Sequence, residues 1–198
     1  LPLNDSRARF ISRNPYSVAS RRHWELRPGA GRIPRAAAPD TRNRSYSITA
    51  FVEIPEAGAE GALVAQGDWC GGYAMYVKDG HLFHDYNFVN THYIIRSDIP
   101  VPAGSCELRY EMRKTGEFAG EATLFINGTA CGTVDLPQTY RAQTSFIGLE
   151  VGRAPKPAVS DFDAPFVFTG TLHKVVYELG DDQQVDPAGE LRAAMRQQ

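Results

Sequence analysis

Two groups of side chains in the 198-residue sequence are of types that carry chemistry. The first is aromatic. Trp69 sits in the run Gly67-Asp68-Trp69-Cys70-Gly71-Gly72, ahead of Tyr73, with Tyr86 and Asn87 following. Ring faces flanked by amides and carboxylates suit sugars, whose C–H faces stack and whose hydroxyls need polar partners. The second group is His81, His84 and His92, with Asp85 among them. On a strand His84 and Asp85 point to opposite faces, so they do not chelate a common ion. Two readings of Tyr73, His84 and Tyr86 stand: a shallow groove that stacks on a ligand, or a satisfied histidine in a half-buried layer. Trp69 likewise either meets ligand or caps the end of a core.

Other chemistry is thinly represented. There is no Gly-x-Ser-x-Gly elbow, and Cys70, Cys106 and Cys131 have no obvious base beside them. Cys131 reads as a packed thiol. Glycoside hydrolysis needs two acids across a cleft, whereas Asp85 and Glu111 each stand singly on their strands. Asp161 and Asp163 lie in a loop that could offer oxygen ligands to calcium, yet the spacing is not that of an EF-hand. Turn chemistry favours a solvated turn instead. No catalytic residue, metal site or cofactor is expected. Sequons at Asn4, Asn43 and Asn127 are read as coincidence.

The elements that must position these groups are strands. Residues 46–54 alternate until Pro55, 61–67 form a second run, and 72–78 meet Asp79-Gly80 before a return at 81–88. Asp-Gly is a hairpin signal because both central positions of a type I′ turn need positive φ. Asn127-Gly128 repeats the device between 122–126 and 129–134. The first hairpin pairs Met75 with His84, Tyr73 with Tyr86 and Val77 with Leu82. Leu108, Tyr110 and Met112 alternate with charged residues, and late strands fall at 146–151 and 169–179. Some ten short strands without a βαβ rhythm indicate an all-β sandwich at 45–182. Asp186-Pro187 starts a short C-terminal helix within the tail 183–198.

Charge divides the chain. Residues 1–44 hold ten Arg against three acids, +7, and the remainder holds 11 basic and 20 acidic residues, −9, together −2. The first portion, rich in proline, reads as a basic connecting arm whose partner is an acidic protein surface. The small net charge excludes a global polybasic surface, so no nucleic-acid partner is expected. No apolar run reaches the roughly 20 residues of a membrane-crossing helix, and no membrane partner is expected. The odd, widely spaced cysteines read as free thiols in a reducing, cytoplasmic compartment. The leading Leu1 reads as the start of a cut piece.

Several segments in order carry a resemblance: 27–34 with its Pro-Gly-Ala-Gly-Arg, 43–50, 61–67, Gly71-Gly72-Tyr73, 76–80, Tyr86-Asn87-Phe88 and 166–172. Together, over residues 1–180, they resemble the C-terminal region of large bacterial arylsulfatases. That resemblance implies a concanavalin A-like jelly-roll sandwich. It implies an accessory domain of a sulfuric ester hydrolase, packed through the basic arm on a catalytic sulfatase domain or shaping substrate access. The family's nucleophile is a formylglycine made within a C/S-x-P/A-x-R motif, and none of the three cysteines here stands in one. The alternative is a lectin-like glycan-binding module using Trp69, Tyr73, His84, Tyr86 and Asn87.

Overall fold

The computed structural model describes residues 21–140 and 145–184. They form two facing sheets. The first has the order β1 (His23–Leu26), β13 (Thr171–Leu179), β2 (Tyr46–Ile54), β7 (Gly104–Gly116), β8 (Ala119–Ile126) and β9 (Thr129–Leu136). The second runs β11 (Arg153–Ala154), β12 (Phe166–Val167), β3 (Gly61–Asp68), β4 (Gly71–Lys78), β5 (His81–Phe88) and β6 (Thr91–Arg96), with β10 (Leu149–Val151) also on β3. This is the jelly-roll sandwich expected. The expected helix at 187–198 lies outside the described residues.

The first sheet has one wet face. Along β2 every second residue is buried: Tyr46, Ile48, Ala50, Val52 and Ile54 face Leu108, Tyr110, Leu124 and Tyr177. The isoleucine, valine and leucine side chains among them each contribute roughly 1.5–3 kcal/mol on burial. The second sheet is buried on both faces, which is why β3, β4 and β5 read as nearly continuous burial rather than alternation. Its inner face supplies Tyr73, Met75, Val77, Leu82 and His84 to the main core. Its outer face carries a second cluster, in which Ala62, Ala65 and Ala74 leave room for the rings of Tyr76, Phe162 and Phe166. The 155–165 segment thus lies over the outer face.

Both predicted hairpins form. Asp79 and Gly80 have φ of 50° and 71°, Asn127 and Gly128 of 50° and 80°, and the pairs Tyr73–Tyr86, Met75–His84 and Val77–Leu82 stand in register. A bulge in β9 sets Cys131 and Gly132 against Leu124, and the Cys131 thiol is buried and faces the Leu124 carbonyl.

The basic stretch is held by the domain's own sheets. His23–Leu26 pairs with β13 at the edge of the first sheet, and Ile33 exchanges two backbone hydrogen bonds with Leu149 at the second. Four of its described arginines are met from within. Arg22 pairs with Asp181, Arg32 with the buried Glu150 and Arg42 with Asp40, each at 2.8 Å. The buried Arg44 donates to the Gly180 carbonyl. A missing acidic partner is therefore not needed to account for these arginines.

Candidate functional site

The site begins with the glycines around Trp69. Gly67 and Gly72 pair across the β3–β4 turn with φ of 102° and 137°. A Cβ on Gly67 would stand 2.1 Å from the Gly71 carbonyl oxygen, and one on Gly72 2.0 Å from that of Gln66. Only glycine allows this approach, and it presses the strands together so that Trp69 is thrown outward. Gly67→Ala is expected to cost about 2–4 kcal/mol and to splay the loop, since positive φ and a backbone clash act together. Urea denaturation reads the loss; an unchanged midpoint would refute this account of the turn.

Side chains then fix the loop. Asp68 accepts from the Cys70 amide at 2.8 Å and from the Ser145 hydroxyl at 2.9 Å. Asn87 is fully buried; its Nδ2 donates to the Trp69 and Val159 carbonyls, each at 3.1 Å, and its Oδ1 accepts from the Asn90 amide at 2.8 Å. One amide thus ties the Trp69 loop, the 155–165 cover and the Val89–Asn90 turn into a single rim. The Tyr140 hydroxyl donates to the Asn87 carbonyl and accepts from the amides of Gly72 and Val89. Val89 itself has φ of 49°, a strained value for a β-branched residue, and its side chain is exposed.

Inside this rim lies a cleft of about 420 Å³, within the size range of small-ligand sites. Trp69, 63% exposed, forms one wall with Ile94, also exposed. Asn90, His92, Ser160 and Asp161 supply polar groups. Asp85 lies beneath and is fully buried. Its Oδ2 stands 2.7 Å from His92 Nδ1 and accepts the Ser160 hydroxyl at 2.6 Å, while Oδ1 has no partner among the described residues. Desolvation pushes the Asp85 carboxyl above its ordinary value, opposed by the bonds from Ser160 and His92. With Nδ1 turned to the carboxylate, Nε2 of His92 is the ring nitrogen left for a ligand.

This trio is not a hydrolase triad. There the imidazole lies between serine and carboxylate and takes the hydroxyl proton. Here the carboxylate lies between the other two, and the Ser160 proton is committed to Asp85. Among the described residues no three His, Cys, Asp or Glu side chains converge to hold a metal ion.

The sequence-derived candidates separate on this geometry. Trp69 is at the surface. Tyr73, His84 and Tyr86, read as either a stacking groove or a half-buried layer, are core residues exposed by 4%, 1% and 5%. They stand on the inner face of the second sheet, where His84 stacks on Tyr110 with ring centres 3.5 Å apart. Asn87 holds the rim and touches no solvent. Sequence reasoning missed Ser160, Asn90, Ile94 and the contribution of His92, which lies opposite Asn87 on β6. A hollow on the other side of the Trp69 loop, lined by Arg35, Arg42 and Tyr140, holds only about 50 Å³.

No family model matches the chain, and no curated protein matches it. Solved structures do. A sialidase carbohydrate-binding module of Ruminococcus gnavus, bound to alpha2,3 sialyllactose, is similar at TM-score 0.55 and 17% identity, over 82% of this chain and 93% of that one. The same module bound to alpha2,6 sialyllactose gives 0.52 and 15%, over 82% and 94%. A leech intramolecular trans-sialidase gives 0.52 and 11%, over 87% of this chain and 27% of the enzyme. These likenesses define the fold class, a lectin-type jelly-roll sandwich. They overturn the expectation of a sulfatase accessory domain, because the similar structures include a carbohydrate-binding module matched over 93–94% of its length.

Proposed function

We propose that this domain is a lectin-like glycan-binding module that does no chemistry, and that the cleft beside Trp69 receives the sugar. The observation that carries the reading is an exposed tryptophan face set over His92, Asn90 and Asp161 in one rim. A pyranose presents an apolar C–H face and a ring of hydroxyls. The indole covers the first, and the imidazole, amide and carboxylate answer the second. The buried Asn87 and Asp85 keep that rim preformed, so little ordering entropy is lost on binding. The structural neighbours, themselves recorded with bound sialylated sugars, support the same direction.

The test is a glycan array probed with the intact chain, with a turnover assay on aryl glycosides run in parallel. Saturable retention on a subset of glycans, without product release, is the expected result. Retention on none of them would overturn the reading, and so would turnover above buffer.

A further inference from the structure

We infer that the Trp69 cleft selects uncharged sugars over acid-capped ones, an inference that rests on the module reading above. The charges on the page set the sign. Asp161 is exposed at the mouth, so the cleft presents a carboxylate from the side, while Asp85, buried under the floor, is bonded to His92 and Ser160. Arginine or lysine is the usual partner for a sugar carboxylate or sulfate, through charge-assisted bonds. Among the described residues lining the cleft there is neither.

The remaining group able to carry positive charge there is His92. Its Nδ1 is 2.7 Å from Asp85 Oδ2, so a proton on the ring is already balanced by the carboxylate beneath it. Arg96 lies on the same face of β6 but beyond Ile94, opposite Phe83, outside the cleft lining. Arg35 and Arg42 stand across the Trp69 loop around the small hollow, and Arg42 is bonded to Asp40. A sialic acid, uronate or sulfated unit seated on Trp69 therefore meets like charge and exchanges its hydration for no cation. A neutral hexose or N-acetylhexosamine meets acceptors that its hydroxyls can donate to. The preference is thus the reverse of what the sialylated ligands of the structural neighbours would suggest.

The experiment uses matched glycan pairs, each neutral oligosaccharide beside its sialylated or sulfated counterpart. Binding to the intact chain is measured in about 0.01 M and about 0.5 M salt, where charges are screened over about 30 Å and about 4 Å. At low salt the neutral member is expected to bind about tenfold tighter than its capped partner; added salt should leave the neutral member's affinity nearly unchanged and narrow the gap. Asp161→Asn should narrow that gap to about threefold, read as the ratio of the two affinities, because the amide removes the charge and keeps an acceptor oxygen. Tighter or equal binding of the capped member, lost in Trp69→Ala, would overturn the selectivity and leave the module reading in place. Binding of neither member by the wild-type chain would overturn both.

Discussion

Trp69→Ala will weaken glycan binding by roughly thirtyfold, about 2 kcal/mol, the loss expected when a central aromatic anchor is truncated. The fold should not notice. Trp69 is mostly in solvent, and the loop that carries it is held by Asp68, Asn87 and the Gly67–Gly72 pair rather than by the indole. Stability is therefore expected to stay within about 0.5 kcal/mol of wild type. The chain has two tryptophans, and Trp24 is buried against β13. Ligand-dependent fluorescence thus reports on Trp69, and the variant should lose that signal together with retention on glycan. Undiminished affinity in a folded Trp69→Ala chain would remove the indole from the site.

Acid will destabilise the domain through His84. The imidazole is buried between Tyr110 and Tyr73, its Nε2 without a partner, and desolvation pushes its pKa down to about 3. An unfolded histidine takes up its proton near 6.5. Between these values the unfolded chain binds more protons than the folded one, so stability falls as pH falls. The contribution is fully present above about pH 6.5 and is lost progressively down to about pH 3. At about 1.4 kcal/mol per pH unit this amounts to on the order of 5 kcal/mol. His84→Phe keeps a ring against Tyr110 and removes the titration. Its denaturation midpoint should therefore decline less than that of wild type between pH 6.5 and 4. Parallel declines would show that His84 does not set the acid limit. The carbon-bound ring protons of His84, followed by NMR, should show a neutral imidazole at pH 5 in the folded chain.

The fold was largely legible because its turns and its wet sheet obey local rules. Asp79-Gly80 and Asn127-Gly128 need positive φ, and the flanking registers follow from turns of two residues. Alternation at 46–54 and 107–113 marks the inward face without ambiguity. The second sheet was harder to read. Its β4–β5 hairpin carries apolar groups on both faces, Tyr73, Met75 and Val77 on one and Ala74 and Tyr76 on the other. Pairing alone does not say which face meets the core. That is why the Tyr73–His84–Tyr86 face leaves a ligand groove and a half-buried layer both open in the sequence.

β6 gave even less signal. Its turn is Val89-Asn90, with a β-branched residue at positive φ, and Ile94-Ile95 breaks the alternation. Reading that turn would have placed His92 on the face of Asp85 and opposite Asn87. Ser160 arrives from 75 residues away and has no local signature. Trp69 was identifiable from its glycine-flanked loop, but that it faces water depends on Gly67 and Gly72 meeting across the turn. The partners of the basic stretch are likewise not local: composition cannot record that Asp181, Glu150 and the Gly180 carbonyl, more than 100 residues further along the chain, meet Arg22, Arg32 and Arg44.

The central claim is that sugar binds in the Trp69 cleft, and an NMR titration with a neutral oligosaccharide retained on the array tests it most directly. Saturable shifts are expected at the Trp69 indole N–H, at the His92 ring and at the backbone amides of 89–94 and 158–161. The Arg35–Tyr140 hollow should remain still. Shifts centred on that hollow, with the Trp69 indole unmoved at saturation, would contradict the account.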